Sequence, residues 1–273
     1  MTIYRKRGLY NFLPPSQYHI KEKAASVSLL KNMHKVDGKK ITSGTKEWAD
    51  FNINLIDGCA HNCRYCYAKK MAVRFGRKTE ATWGTMRIRE RDVNKAYRKK
   101  KGRIMFPTSH DIVPEEPFFK ACMTVLEKLL RADNSVLVTT KPHLQVVRYI
   151  CEHFKKFMDK IQFRFTITSM DDTKLADWEP GAPNFQERLE SLKYASQAGF
   201  KTSISIEPCL DEDPRKLVEI LKPYVTESIW LGCMNYSGKY PFNSTETLKK
   251  WVQWFEKEEL MRFKDSIKRR LRS

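Results

Sequence analysis

The strongest constraint on the fold is a regular alternation between residues 48 and 231. Short apolar or β-branched runs are separated there by amphipathic segments. The strand-like runs are WADFNINLI, RIMFP, SVLVTT, IQFRFTIT, KTSISIE and ESIWLG, and helical spacing follows in segments such as PFFKACMTVLEKLLRA and NFQERLESLKYASQAG. This pattern is typical of right-handed βα units around a parallel sheet. We therefore predict an α/β fold, either doubly wound or a full or partial barrel, with functional groups at the carboxyl ends of the strands.

A cysteine loop follows the first strand-like run. This loop contains three of the seven cysteines, namely Cys59, Cys63 and Cys66, with the spacing C-x3-C-x2-C. A zinc site normally needs four ligands, and His61 is the only local candidate for the fourth. Core cysteines without a ligand role are seldom packed three to a loop. A [4Fe–4S] cluster fits better, because three thiolates leave one iron open to another ligand.

The loop resembles the signature of the radical S-adenosylmethionine (SAM) superfamily, in which an aromatic residue, here Tyr65, precedes the third cysteine. The resemblance implies an enzyme with two cofactors, a [4Fe–4S] cluster and SAM. It implies that the open iron chelates SAM and that the reduced cluster cleaves its sulfonium C–S bond. The resulting 5′-deoxyadenosyl radical then abstracts hydrogen from a substrate. The reaction type, lyase or oxidoreductase or transferase, stays open.

The resemblance is closer to the spore photoproduct lyase and DNA-repair-photolyase-like subgroup, over about residues 48–212. It rests on TSHDIV, on TTK and on WEPGAPNFQERLESLKYASQAGF. It implies a partial, six-stranded (β/α) barrel of the TIM type, in agreement with the strand count. We expect this barrel over residues 46–240, after a basic N-terminal extension over 1–45. A long basic helix over 241–273 is expected to pack on the barrel.

The resemblance also assigns cofactor-binding roles to single positions. Ser109 would face the methionyl end of SAM, and Lys141 would pair with its carboxylate, a role that suits an ammonium at a strand end. Ser169 would bond the methionyl or ribose groups, and Tyr65 would lie near the adenine. Glu207, in SIEP, is a further polar candidate at the same rim. Each serine has an alternative role as a helix cap or turn residue.

One position departs from the subgroup. Spore photoproduct lyases place a hydrogen-donating cysteine directly before the Thr-Ser pair, where this chain has Pro107. Their repair cycle is therefore not carried over. Cys209 and Cys233 follow the last two strand-like runs and are alternative hydrogen donors or buried structural thiols. Cys122 and Cys151 fall in amphipathic helices and are expected in the core.

Charge indicates the partner. Lys and Arg number 51 against 32 Asp and Glu, which gives a net charge of +19. Such an excess favours nucleic acid or another polyanion, although a basic surface kept for solubility is an alternative. Positive charge is dense at residues 87–103 and 264–273. Trp83 and Tyr97 are candidates for stacking on bases, with core packing as the alternative for Trp83.

We therefore expect a radical SAM enzyme acting on a nucleic acid or nucleotide-like substrate, supplied with electrons by a flavodoxin or ferredoxin. One alternative is a radical SAM enzyme for a peptide or small metabolite. Another is a non-catalytic, metal-stabilised nucleic-acid-binding module. The odd, uneven cysteine count argues against a secreted disulfide scaffold. No apolar run is long enough to cross a membrane, so a cytoplasmic location is expected.

Overall fold

A parallel sheet of seven strands forms the centre of the protein. The computed structural model describes residues 44–234 and 244–272. The strands are β1 (Phe51–Asn52), β2 (Ile56–Asp57), β3 (Arg87–Ile88), β4 (Arg103–Phe106), β5 (Ser135–Thr140), β6 (Ile161–Thr166), β7 (Lys201–Ile206), β8 (Ser228–Leu231) and β9 (Met261–Phe263). The order in the large sheet is β1-β4-β5-β6-β7-β8-β9, and each of these pairs is parallel. Strands β2 and β3 form a separate antiparallel pair.

Helices connect the parallel strands, as the alternation predicts. They are α1 (Tyr67–Arg74), α2 (Glu90–Asn94), α3 (Phe118–Arg131), α4 (Leu144–His153), α5 (Asp172–Trp178), α6 (Phe185–Gln197), α7 (Arg215–Leu221), α8 (Thr245–Phe255) and α9 (Asp265–Arg272), with 3-10 helices at Gly44–Glu47, Lys155–Lys160 and Lys222–Tyr224. Asn184 is the N-cap of helix α6, and its side chain accepts a hydrogen bond from the backbone N–H of Glu187. No helix in the described ranges has the length and apolar character needed to cross a membrane.

The two faces of the sheet differ in chemistry. Alternate strand residues such as Val138, Phe163 and Ile204 are fully buried and form an apolar face. Register places Thr139 beside Arg164 and Arg164 beside Ser203 on the opposite face. A parallel sheet with one apolar and one polar face leaves the polar face for an internal cavity, as in a partial barrel.

The C-terminal segment corrects one expectation. The sequence predicts one long helix, but the chain forms α8, then strand β9, then α9. Strand β9 pairs with β8, and the Lys264 N–H donates to the carbonyl of Leu231 at 2.9 Å. These bonds satisfy backbone groups that the edge of β8 would otherwise expose, which a continuing helix cannot do. The sheet accordingly has a seventh strand. The predicted N-terminal extension lies outside the described residues up to position 43.

Candidate active site

The cysteine loop is anchored at both ends. The backbone N–H of Cys59 donates to the carbonyl of Trp83 at 3.0 Å. Cys66 is the N-cap of α1, and its sulfur accepts a hydrogen bond from the Lys69 N–H at 3.4 Å. The side chains of Cys59 and Cys63 are buried, and Trp83 packs against Cys59. The loop therefore holds three thiols in a fixed position between a strand pair and a helix.

The thiols themselves suit ligation by a cluster. Burial, followed by the charge of Asp111, raises the pKa of Cys59 above its ordinary value. Burial also raises the pKa of Cys63, to about 12. The two buried thiols, Cys59 and Cys63, are costly to ionise unless bound metal supplies positive charge. In the described residues no three His, Cys, Asp or Glu side chains are arranged to hold a single metal ion. A [4Fe–4S] cubane needs ligands that lie further apart than those of a single metal ion, since each thiolate binds its own iron.

One cavity of about 720 Å³ gathers most of the predicted site residues. Its lining includes Cys59, Cys63, Cys66, Tyr65, Ser109, Lys141, Glu207 and Cys233. Ser109, Lys141, Glu207 and Cys233 each follow a strand of the parallel sheet, namely β4, β5, β7 and β8. The cavity therefore lies at the carboxyl edge of the sheet, where the βα pattern predicts the site.

Two predicted residues lie elsewhere. Ser169 is fully buried, and its hydroxyl donates to Asp211 Oδ1 at 2.8 Å. The Cys209 thiol donates to the backbone carbonyl of Asp211 at 3.2 Å. Neither residue lines the cavity, because both side chains bond to Asp211 in the loop after β7. Their proposed roles in cofactor binding and hydrogen donation stay predictions.

Lys141 directs an ammonium into the cavity. Its backbone N–H donates to Asp111 Oδ2 at 3.0 Å, which fixes the start of the loop after β5. Nζ lies 5.5 Å from the ring centroid of Tyr65 and forms no ion pair in the described part of the chain. Burial lowers the pKa of this ammonium, but the negative charges of Cys63, Glu179 and Asp111 outweigh burial and raise it. Lys141 therefore stays charged and available to a carboxylate ligand.

A hydrogen-bonded turn presents Ser109 to the cavity. Asn54 Oδ1 accepts from the backbone N–H groups of Thr108 and Ser109 at 2.7 and 2.8 Å. Asn54 Nδ2 in turn donates to Thr108 Oγ1 at 2.8 Å. One side chain from the segment after β1 thus orders the turn that follows β4. The position of Ser109 depends on a residue that the sequence does not single out.

A buried ion pair between Glu179 and Arg188 holds Tyr65 in place. The Glu179 carboxylate lies 2.6 Å from Arg188 Nη1, and both side chains are completely buried. The Tyr65 hydroxyl donates to Glu179, and Thr168 Oγ1 donates to the same carboxylate at 2.9 Å. Burial, together with the charge of Glu179, raises the pKa of Tyr65. These contacts fix the aromatic ring beside the cysteines.

Gly181 allows the loop after α5 to dock on the cysteine loop. A Cβ at this position would lie 2.2 Å from the carbonyl oxygen of Ala60. The Gly181 N–H donates to the His61 carbonyl at 3.1 Å, and the Arg64 N–H donates to the Trp178 carbonyl at 2.9 Å. The WEPG stretch is therefore a brace for the cysteine loop, and only glycine permits so close an approach.

The site contains a second polar network that the sequence does not predict. His61 Nδ1 lies 3.1 Å from Asp111 Oδ2, and His61 Nε2 lies 3.0 Å from His143 Nε2. Burial raises the pKa of Asp111, but the charges of His61 and Lys141 outweigh it and hold the pKa well below its usual range. His61 and His143 are 82 residues apart, so only the fold brings them together. The network ties the cysteine loop to the loops after β4 and β5.

The far wall of the cavity contains an unforeseen lysine. Lys264 Nζ lies 2.9 Å from Glu47 Oε1, 3.6 Å from Glu207 Oε2 and 3.9 Å from the ring centroid of Trp48. Its side chain is 3% exposed, so this residue of the basic tail is not a surface contact for a polyanion. The Glu207 side chain crosses Gly232, where a Cβ would lie 2.8 Å from Glu207 Cδ.

The stacking candidates are not exposed surface aromatics. Trp83 is 2% exposed and packs in the core beside Cys59, so it is not available to a base. Tyr97 is half-buried, and its hydroxyl donates to the Asp92 carbonyl at 2.8 Å. The basic residues 95–102 lead into β4, so they lie at the amino edge of the sheet, opposite the cavity. Lys99 of this segment pairs with Asp133.

Comparison with known proteins identifies the class. The model of the radical SAM superfamily matches residues 53–222, and the chain belongs to this family. The predicted α/β fold and the predicted cofactors, a [4Fe–4S] cluster and SAM, are those of the superfamily and are confirmed. The three cysteines, Tyr65 and Lys141 all fall within the matched range.

Two relatives are uncharacterized proteins. ORF301 of Acidianus two-tailed virus is 27% identical over 197 residues, which cover 68% of this chain and 62% of the relative. MJ0683 of Methanocaldococcus jannaschii is 30% identical over 197 residues, 70% of this chain and 73% of the relative. The match thus spans less than two thirds of the viral protein.

Among solved structures, Streptococcus suis SuiB bound to precursor peptide SuiA has a TM-score of 0.51 at 13% identity, covering 97% of this chain and 57% of SuiB. This likeness shows the fold alone. A spore photoproduct lyase mutant with bound AdoMet and dinucleoside spore photoproduct has a TM-score of 0.47 at 18% identity, covering 81% of this chain and 65% of the lyase.

Proposed function

We propose that this protein cleaves SAM reductively and uses the radical to abstract hydrogen from a nucleic acid or nucleotide-like substrate. The observation that supports this function is the shared cavity, which three cysteines line together with Lys141, Ser109 and Tyr65. When bound, a [4Fe–4S] cluster supplies the open iron for SAM and the electron for C–S cleavage.

The residues of the chain have distinct tasks in this scheme. Lys141 pairs with the carboxylate of SAM, because its ammonium faces the cavity without a competing ion pair in the described residues. Ser109 offers a hydroxyl on the turn that Asn54 fixes. Tyr65, held by Glu179, keeps its ring 5.5 Å from Lys141 Nζ and 6.5 Å from the ring of Trp178. These contacts orient SAM before the electron arrives, so that little reorganisation is needed during the reaction.

The opposite wall is the place for a substrate. It contains Glu207, Lys264 and Cys233. Lys46 adds exposed positive charge at the rim, where Arg269 pairs with Asp265. Burial raises the pKa of Cys233 to about 12, so this residue is a neutral thiol at physiological pH. It therefore retains the S–H bond that a hydrogen donor needs, whereas Cys209 lies outside the cavity. The net charge of +19 supports a polyanionic substrate.

Anaerobic reconstitution tests the proposal. We expect about four iron and four sulfide per chain, and 5′-deoxyadenosine on addition of SAM and dithionite. Cys63→Ala should abolish its formation. Cys151→Ala, which removes a buried thiol from α4, should retain it. Undiminished 5′-deoxyadenosine formation by the Cys63 variant would contradict the assignment.

Candidate polynucleotides then test the substrate. Turnover with DNA or RNA should give new mass adducts or altered nucleotides, together with more 5′-deoxyadenosine than SAM alone. Retention on heparin that modest salt abolishes, without measurable affinity for DNA or RNA, would favour a peptide or small-metabolite substrate. Nucleic-acid binding without SAM cleavage would favour a non-catalytic module.

A further inference from the structure

Helix α1 exposes two aromatic side chains beside the cysteine loop. Tyr67 is 49% exposed and Phe75, the C-cap residue, is 62% exposed, and these are the exposed large hydrophobic residues in the described ranges. The opposite side of the helix buries Ala68 and Ala72. The two exposed rings offer stacking surfaces close to the cysteine loop.

The two rings belong to one stripe of the helix. Tyr67, Lys70, Met71, Arg74 and Phe75 are spaced i, i+3, i+4, i+7 and i+8, which places them on one side. At 1.5 Å per residue the rings are separated by about 12 Å along the axis. Lysine and arginine therefore lie between two stacking surfaces.

The charge of this stretch is entirely positive. Residues 67–78 contain five basic residues and no acidic one, namely Lys69, Lys70, Arg74, Arg77 and Lys78. Lys69 pairs with Glu80, and Lys78 Nζ donates to the carbonyl of Thr85 at 2.7 Å. Neither Arg74 nor Arg77 forms an ion pair with another described residue. Both guanidinium groups are exposed and available to external anions.

The stripe is continuous with the active-site cavity. Tyr67 lines the 720 Å³ cavity and also an adjoining groove of about 250 Å³. Ser109 borders both spaces, and Arg77 and Arg89 line the groove. A chain lying along α1 would therefore lead directly into the cavity.

We infer that this α1 surface, formed by Tyr67, Lys70, Arg74, Phe75 and Arg77, binds single-stranded nucleic acid next to the nucleotide that enters the cavity. The inference rests on the proposed function and adds the contact surface. Alternating rings and cations match bases and phosphates, because bases stack on aromatic rings while Lys and Arg follow the backbone. A single strand is favoured, since a base paired within a duplex would first have to be extruded.

Fluorescence anisotropy of the reconstituted full chain tests the inference. The probes are labelled oligothymidylate and oligouridylate of about twelve nucleotides, a length in the range of single-strand sites. The double variant Arg74→Glu/Arg77→Glu should weaken binding at least tenfold and reduce the salt slope by about 1.4, since each phosphate contact contributes roughly 0.7. Phe75→Ala should weaken binding roughly tenfold and leave the slope unchanged, because it removes stacking without charge.

The matched control makes the same charge change at the amino edge. Arg98 and Lys101 line neither the cavity nor the groove. The double variant Arg98→Glu/Lys101→Glu should therefore bind both probes nearly as tightly as the wild-type protein does. Equal iron and sulfide contents in all variants show that the cluster is retained. Equal losses in both double variants, or a loss only in the control, would overturn the inference.

Two further outcomes separate the proposals. If the wild-type protein binds neither probe at about 50 mM salt, the nucleic-acid substrate of the proposed function fails together with the α1 surface. If it binds both probes but the α1 variants bind equally well, only the α1 surface fails. A third outcome is that Arg74→Glu/Arg77→Glu weakens the binding of polyglutamate by the same factor as the binding of the two probes, while Phe75→Ala changes the affinity for neither probe. This result identifies a surface for an acidic protein and also refutes the inference.

Discussion

The buried pair between Glu179 and Arg188 gives a sharp prediction for Arg188→Met. Both side chains are fully buried and lie 2.6 Å apart, so the substitution leaves a carboxylate away from water without its partner. Breaking such a pair costs about 3–5 kcal/mol of the free energy of unfolding. The hydrogen bond from Arg188 Nε to the Pro183 carbonyl, 2.7 Å long, is also lost. Lys141 and two hydroxyl donors remain near Glu179, which favours the lower end of this range.

The loss should depend on pH in a defined direction. Burial raises the pKa of Glu179, but Lys141 and Arg188 outweigh burial and lower it in the wild-type protein. The stability from this carboxylate is present above the unfolded-state pKa of about 4.3 and is lost as pH falls through the lowered folded pKa. Without Arg188 the folded pKa of Glu179 moves upward, so the folded variant holds this proton to a higher pH than the folded wild-type protein does. The deficit relative to the wild type therefore grows as pH rises through these two folded pKa values, and it should be larger at about pH 8 than near the unfolded-state pKa of about 4.3.

Urea unfolding of the cluster-free protein, followed by circular dichroism, measures both effects. The matched control is Arg131→Met, which breaks an exposed pair with Glu127 on α3 and should cost about 0.3–0.5 kcal/mol. Arg188→Met/Glu179→Gln should recover part of the loss, because no uncompensated charge remains. A cost for Arg188→Met equal to that of the control, or a deficit that does not change with pH, would refute the reasoning.

Three other changes test the rest of the site. Gly181→Ala, whose Cβ would lie 2.2 Å from a carbonyl oxygen, should destabilise the protein by about 1–3 kcal/mol and lower the iron content after reconstitution. Gly84→Ala, with open space around the Cβ, should change neither quantity. Lys141→Met should raise the Kd for SAM at least about tenfold, from the loss of a charge-assisted hydrogen bond, with iron and sulfide unchanged, as titration calorimetry would show. Asp111→Asn should reduce the unfolding free energy by about 1.5–3 kcal/mol in denaturant titrations, and an unchanged midpoint would remove the network around Asp111 from the account.

Local pattern was enough to predict most of the sheet. The runs that become β4 to β8 carry β-branched and apolar residues between helical segments, and the structure has them in parallel order. The resemblance to the radical SAM subgroup assigns Ser109 and Lys141 to the SAM site, with Glu207 as a further candidate at the same rim. All three line one cavity at the carboxyl edge of the sheet. The spacing of the three cysteines, with Tyr65 before the last, indicated the family. Chemistry that depends on sequence neighbours and strand ends is therefore accessible without a structure.

Long-range packing decided which of the predicted residues reach the cavity and which distant loops meet. Ser169 and Cys209 also follow strands, yet both turn towards Asp211, because a strand end does not fix the direction of the side chains beyond it. The contact of His61 with His143 joins loops 82 residues apart.

The last segment shows the same limit. Its apolar spacing fits one helix, but residues 261–263 extend because the open edge of β8 offers backbone hydrogen bonds that no local pattern records. Sequence by itself determined which units form and which chemistry they carry. The tertiary structure decided which side chains meet, since burial and pairing depend on residues far apart in the chain.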